Sequence, residues 1–297
     1  MANNLSAYMP EVMAPEALAL LRNRLVLGNI VHRDFEDAVS SEGDTVTFRK
    51  PVALTSNVRD PSSVSSLTVT DSSTERDSIV LSKYRYIKVL VSTSDMRKGI
   101  ASMTDEILAP MVDGVAQGIE ADIAAIFTGG FTNAINDYTT ALVDDDLRAA
   151  RLQLANQKCP TDKRWVGVIH HDAEYDLLGV ARLTEADMVG DGEAIRQATL
   201  GVRYNITWVA SNNVPKNNST EVSNAVMHPD AIALVQARLG EAEGAAGSTE
   251  VSEEGYSVRV WTDWDNDKGA TALCVDTLYG VKLLRNEMGV ELKSLGV

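Results

Sequence analysis

Three clusters in this sequence combine residue types that do chemistry. Asp263, Asp265 and Asp267, followed by Gly269, alternate as the oxygen ligands of a calcium loop do. Such a loop needs glycine at its sixth position and a bidentate glutamate at its twelfth. Lys268 and Cys274 stand there, so the run reads as a solvated hairpin turn. Glu185, Asp187, Asp191 and Glu193 gather around Gly190 and Gly192. They could hold a cation, but a solvated loop is the plainer reading. His170, His171 and Asp172 form the third cluster. Adjacent histidines on a strand point to opposite faces and do not easily share a metal. Asp172 reads as a helix cap, His228 as a helix-entry residue, and His32 as a charge suited to a helix C-terminus. There is no GxSxG elbow, no GxxxxGK[ST] and no GxGxxG. The expectation is a chain with no catalytic, metal or cofactor-binding residue.

The elements that would position any site centre on Thr104–Phe127. Leu108, Met111, Val112, Val115, Ile119, Ile123, Ile126 and Phe127 recur at the spacing of one helical face. Thr104 can cap the start, and Gly129-Gly130 can end the helix. Pro110, Gly114 and Gly118 share an i+4 row on it. Pro110 should kink the helix or loosen one turn. The glycines leave a thin strip where another backbone can lie close: the chain's own sheet, or the hairpin of another copy.

The 297 residues allow one large or two modest domains, and the formal net charge of −15 argues against sequence-specific nucleic-acid binding. The charge is uneven. Residues 43–98 carry nine basic and six acidic side chains, while residues 99–297 hold the whole net −15. Copies of the chain could attract one another head to tail. Cys159 and Cys274 are too few for a disulfide framework, and a reducing compartment fits. No apolar run is long enough to span a membrane, and the first residues lack the pattern of a secretory signal.

In chain order, Pro15 should open a helix that Gly28-Asn29 ends. Thr45–Arg49 alternates as a strand, residues 56–78 are too polar to fold alone, and Ile79–Val91 returns with a parity shift near Ile87. These make a long hairpin arm with a polar tip. Its Arg49, Lys50, Arg59, Arg76, Lys83, Arg85 and Lys88 read as contacts to acidic neighbours, since no aromatic interleaving supports base stacking. Next come a helix from Asp144 to Asn156, a buried strand Trp165–His170, a short helix Ala173–Val180 begun by Asp172, and a strand Tyr204–Ala210. Pro215–Ser223 reads as a loop, Ala225–Met227 as a strand and Ala231–Arg238 as a helix. Residues 240–255 look exposed. Strands Tyr256–Thr262, Ala270–Asp276 and Gly280–Leu284, with a fourth at Val290–Leu292, make a C-terminal sheet suited to the long helix.

That order of elements resembles the tailed-bacteriophage (Caudovirales) major capsid fold. PEALALLRNRLVLGNIVHRDFE at Pro15–Glu36, GDTVTFRKP at Gly43–Pro51 and LYGVKLLRNEMGVEL at Leu278–Leu292 carry the resemblance, which covers essentially the whole chain. It is to the coat-protein branch without an extra inserted domain. The resemblance implies an α+β fold: an N-terminal arm and helix (1–42), a long β-hairpin E-loop (43–95), a peripheral (P) domain made of the spine helix (96–133) and a C-terminal sheet (251–297), and an axial (A) domain (134–250). It implies a structural coat protein, not an enzyme, that self-assembles into pentamers and hexamers of an icosahedral head around double-stranded DNA. Its partners would be other copies of itself, a scaffolding protein, a portal, and DNA contacted non-specifically, but no membrane. It would assemble in the host cytoplasm and reside in the virion. The assembly contacts expected on this basis are Arg49, Lys50, Arg59, Arg76, Lys83, Arg85, Pro110, Gly114 and Gly118. A bacterial encapsulin-like nanocompartment shell is the alternative on the same fold. A soluble metal-dependent enzyme is the reading these residues support least. Ordering so polar an arm costs about 1–2 kcal/mol per residue in backbone entropy. A neighbouring copy must offset that cost, so arm ordering and assembly should be coupled.

Overall fold

The computed structural model describes residues 10–33, 45–50, 56–62, 66–67, 69–70, 75–92, 104–180, 183 and 200–296. The acidic cluster at Glu185–Glu193 lies outside them. So do the side chains of Arg49, Lys50 and Thr104.

The N-terminal helix α1 runs Pro10–Arg24, earlier than expected. Pro10 takes the first position, where a missing N–H is harmless, and Pro15 falls inside the helix. The helix breaks at Leu25-Val26 and resumes as one turn, α2 (Leu27–Ile30). Gly28 therefore does not end it. A side chain there would lie 3.1 Å from the Tyr256 hydroxyl, so glycine permits close packing. Strands β1 (Thr45–Lys50) and β2 (Glu75–Val80) form an antiparallel ribbon. Strand β3 (Lys83–Ser92) follows after a break at Leu81-Ser82. The expected parity shift near Ile87 does not occur, because β3 keeps one register from Lys83 to Ser92. The break comes earlier because the two halves have different partners.

The long helix α3 begins as a wide π turn at Thr104–Leu108, continues as α-helix at Ala109–Ala124 and tightens at Ala125–Phe127. The wide turn directly precedes Pro110, which has no N–H for the turn before it. Gly129 ends the helix with φ at +69°. Leu108, Met111, Val112, Val115, Ile119, Ile123 and Phe127 are all buried, as their spacing predicts. The remaining elements are β4 (Asn133–Ile135), α4 (Asp144–Asn156), β5 (Trp165–Ile169), α5 (His171–Leu178), β6 (Val202–Arg203), β7 (Ile206–Ala210), β8 (Lys216–Asn217), β9 (Glu221–Met227), β10 (Ile232–Ala237), β11 (Gly247–Glu253), β12 (Tyr256–Asp265), β13 (Ala270–Leu283) and β14 (Gly289–Leu295).

Two sheets organise these elements. The first has the order β10-β13-β12-β11, with β3 also paired to β13. Helices α1 and α3 pack on it. The second has the order β4-β14-β9-β5-β7-β6, with β8 on β9. Several expectations change here. Residues 231–238 are not a helix. All six residues of β10 are buried, with Ile232 and Leu234 in the main core and Ala233, Val235 and Ala237 under the β1–β2 ribbon. A strand covered on both faces has no alternation, so its apolar run mimics a buried helix. Residues 247–253, which look exposed in the sequence, form a half-exposed edge strand. Strand β13 is continuous through Thr277–Tyr279. Gly280 lies inside it, and a Cβ there would come within 2.4 Å of the Val80 carbonyl oxygen. Pro215–Ser223 contains the β8–β9 hairpin, whose turn residues Asn218 and Ser219 have positive φ. Tyr204 and Asn205, also at positive φ, form a turn, so that strand starts at Ile206. Strand β14 leaves the C-terminal sheet and lies between β4 and β9 in the second.

Candidate functional site

The clusters that resembled catalytic or metal sites are structural among the described residues. The Asp265 carboxylate accepts the N–H groups of Asp267 and Lys268, both at 3.1 Å, closing the β12–β13 turn with Gly269 at φ +57°. His170, not Asp172, caps α5: its Nδ1 accepts the Asp172 N–H at 3.1 Å. Asp172 pairs instead with Lys216 at 2.6 Å.

Asp162, His228 and Asp230 bring ligand-type atoms within 4.8 Å of one another. His228 is buried, and its Nδ1 accepts the Asp230 N–H at 3.1 Å. The neutral ring therefore carries its proton on Nε2 and donates to Asp162 at 3.0 Å. A metal on Nε2 would force a proton onto Nδ1, facing a backbone donor. The arrangement is thus a hydrogen-bond clasp. Asp230 extends it to Lys163 at 2.9 Å and to His32 at 3.1 Å. His32 also adds a backbone bridge to the edge of β10.

The candidate site is instead a surface: the hairpin arm, its root and the sheet that carries it. Asp122 of α3 gathers the start of β3. It accepts Lys83 Nζ at 2.7 Å, Arg85 Nη2 at 2.8 Å and the buried Tyr279 hydroxyl. Arg85 Nε donates to that hydroxyl at 2.6 Å. Burial pushes the Asp122 carboxyl up, but hydrogen bonds from Lys83, Tyr279 and Arg85 outweigh it and hold the group below its ordinary value. Burial, reinforced by Asp122, pushes the Tyr279 phenol up.

The row of small residues on α3 lies against this same strand. A Cβ on Gly118 would lie 2.7 Å from the Arg85 side chain, and one on Gly114 would lie 2.6 Å from Ile87 Cδ1. Within one chain the strip seats the chain's own β3. Pro110, at its end, is exposed.

On the opposite face of β3, the fully buried Asp276 accepts Tyr84 at 2.6 Å, Arg259 at 2.7 and 3.0 Å, and the Trp261 indole at 3.0 Å. Burial, then Asp276, pushes the Tyr84 phenol up to about 12. Lys88 lies over the Trp261 ring.

The arm is rooted on that face. Val46, Ile79 and Leu81 cover Ala233, Val235 and Ala237, and Lys282 bonds Asp77 and the Ser78 carbonyl. Farther out, Asn57 donates to Thr70 across the arm at 2.9 Å, while Val58, Leu67 and Val69 stay 97%, 73% and 85% exposed. Arg59 and Arg76 are exposed as well, and Arg76 pairs in register with Arg49.

Sequence reasoning missed the two acids that fix this geometry, Asp122 and Asp276, and a third, Glu120. Buried on α3, Glu120 accepts the N–H groups of Val26 and Leu27 and the Asn213 amide. An acid on the apolar face of a helix was the available signal.

The family described as "Phage capsid protein" matches residues 76–289. Among solved structures, one titled for Mycobacterium phage Che8 is similar at TM-score 0.70 and 21% identity, with 90% of each chain covered. The capsid of the cyanophage P-SCSP1u gives TM-score 0.61 at 14% identity, covering 86% of this chain and 85% of that one. A virus-like particle from Pyrococcus furiosus gives 0.52 at 14% identity, covering 96% and 99%. At these identities the likeness is one of fold. No curated protein matches the chain.

Proposed function

The chain belongs to the phage capsid protein family, a structural family of the virion, and from that premise we propose that copies of it close into an icosahedral head. The head is built of pentamers and hexamers around double-stranded DNA, with a scaffolding protein and a portal as further partners. The arm carries this reading: Val58, Leu67 and Val69 are largely exposed on a segment too polar to make a core. Exposed apolar residues on such a segment suit a partner surface.

Residues 43–95 act as the reaching arm, residues 96–133 and 251–297 as the main body of the peripheral domain, and residues 134–250 as the axial domain. Strand pairing blurs that division, since β10 and β11 lie in the first sheet and β14 in the second. Among the proposed assembly contacts, Arg59 and Arg76 are exposed on the arm. Lys83 and Arg85 already bind Asp122 in their own chain, and Gly114 and Gly118 shape the seat beneath them.

Electron microscopy of the purified full chain tests the reading. Uniform closed shells are expected, and a chain that stays monomeric at all concentrations and salts overturns it. A nanocompartment shell on the same fold is the second reading; the virus-like particle from Pyrococcus furiosus, similar over nearly its whole length, shares that fold. Nucleic acid inside shells isolated from infected cells supports the first, and protein cargo the second.

A further inference from the structure

We propose that His228 is a pH-operated latch on the joint between the two sheets. The latch belongs to the single subunit and stands or falls apart from the shell reading.

Among the described residues the chain passes between the sheets three times, and the crossings lie together. Residues 128–132 lead from α3, which packs on the first sheet, to β4 in the second. Residues 228–231 lead from β9 to β10, and residues 284–288 from β13 to β14. The Thr132 N–H donates to the Asn286 carbonyl at 3.3 Å, the His228 N–H to the Met288 carbonyl at 2.9 Å, and the Leu284 N–H to the Ala231 carbonyl at 2.8 Å. A hinge concentrates its backbone changes in a few residues at element ends, and these segments are such residues.

His228 sits at this joint and caps the turn Pro229–Ala231. Its neutral ring uses both nitrogens: Nδ1 accepts the Asp230 N–H, and Nε2 donates to Asp162. A second proton on Nδ1 sets donor against donor at 3.1 Å, so that bond is lost and the turn opens. The new N–H has an acceptor close by. Asp230 Oδ2 lies 3.7 Å from Nδ1, while Oδ1 serves Lys163 at 2.9 Å and His32 at 3.1 Å. The acid form is therefore a second paired arrangement, reached in the range where histidine takes up a proton, around pH 6.5.

The surroundings leave that proton as the variable charge. The hydrogen bond from His228 holds the Asp162 carboxyl below its ordinary value. Burial pushes Asp230 up, but Lys163, then His32 and His228, outweigh it. Both acids thus stay ionised while the ring titrates. Burial pushes the Cys159 thiol up to about 11, so it stays neutral. Arg285 and Glu287 on the 284–288 crossing offset each other, as do Arg33 and Glu254. The last two line a cavity of about 830 Å³ together with His32, Lys163 and Asp230. Through it water reaches the neighbourhood of a ring that is itself only 1% exposed.

Histidine ¹⁵N shifts and hydrogen exchange of the dilute full chain, followed from about pH 8 to about pH 5, test the latch. His228 should pass from the Nε2-protonated tautomer to the doubly protonated ring. At the same midpoint, protection of residues 228–231 and 284–288, corrected for the intrinsic exchange rate, should fall about tenfold, with the strand interiors unchanged. His228→Asn keeps a capping oxygen near the place of Nδ1 and does not titrate, so its protection should be flat with pH. His32→Gln should leave the response in place. Protection that does not follow the His228 titration, an Nδ1-protonated tautomer at neutral pH, or a response kept in His228→Asn and lost in His32→Gln overturns the latch. If His228→Asn does not fold, the ring shifts and exchange of the unaltered chain decide. None of these results bears on whether copies close into shells.

Discussion

Asp122→Ala removes the acceptor of Lys83, Arg85 and Tyr279 in one step. The two cations are 43% and 40% exposed, so solvent screening limits each ion pair. Such pairs contribute about 0–1 kcal/mol each. Tyr279 is fully buried and still accepts from Arg85, but its own hydroxyl proton loses its acceptor. A buried donor left unpaired costs about 1–3 kcal/mol. The alanine variant should therefore lose about 2–4 kcal/mol. Asp122→Asn keeps an oxygen for Tyr279 and gives up mainly charge, so about 1 kcal/mol. Urea unfolding of dilute, unassembled subunit, followed by circular dichroism, reads both values from the midpoint shift. The pH dependence adds a second measurement. The folded carboxyl titrates below its ordinary 3.8, so ionised Asp122 stabilises the fold above that value. Its contribution fades as acid carries the pH below about 4, through the folded value. The asparagine variant should lack that component. Alanine and asparagine variants of equal stability, or an unchanged acid limb in Asp122→Asn, would refute the account of Asp122 as the anchor of the arm.

Glu120→Ala leaves the N–H groups of Val26 and Leu27 without their acceptor. It should cost about 2–4 kcal/mol and speed hydrogen exchange at residues 26–30, with Glu120→Gln intermediate. Gly280→Ala pushes a methyl group against the Val80 carbonyl, a backbone atom that cannot turn aside. The expected loss is about 1–3 kcal/mol, with faster proteolysis at Leu81-Ser82 in the free subunit. In a spectrophotometric titration of the folded subunit, Tyr84 should ionise only near 12, and Tyr84→Phe should remove that step. Because its folded value is raised, its contribution is complete below about pH 10 and is lost as the pH climbs through the folded value.

Elements that bury one side were legible in the sequence. The period of α3 named its buried residues, and Thr45–Arg49 read as a strand, which the structure extends to Lys50. The failures have separate causes. Strand β10 is covered on both faces, so its pattern carries no period. Strand β11 lies at an edge and needs little apolar content to pair. In the sequence strand β13 reads as split at Thr277–Tyr279, although it runs unbroken from Ala270 to Leu283. Lys83 and Arg85 read as contacts to acidic neighbours, but Asp122 as their partner was not legible, since one aspartate on a helix carries no pairing signal. The small-residue row was visible from spacing alone. What filled it depended on strand pairing across most of the chain.

The pairing of both sheets also sets when the subunit can exist during its synthesis. Strand β3 finds its partner only when residues 270–279 have emerged, and β14 must slide between β4 and β9, which were made long before. Until residues 289–295 leave the ribosome, the second sheet lacks an interior strand, while the first sheet, which carries the arm, already has all its strands. Pairings so distant in sequence form slowly. Both sheets therefore close only when nearly the whole chain has been made.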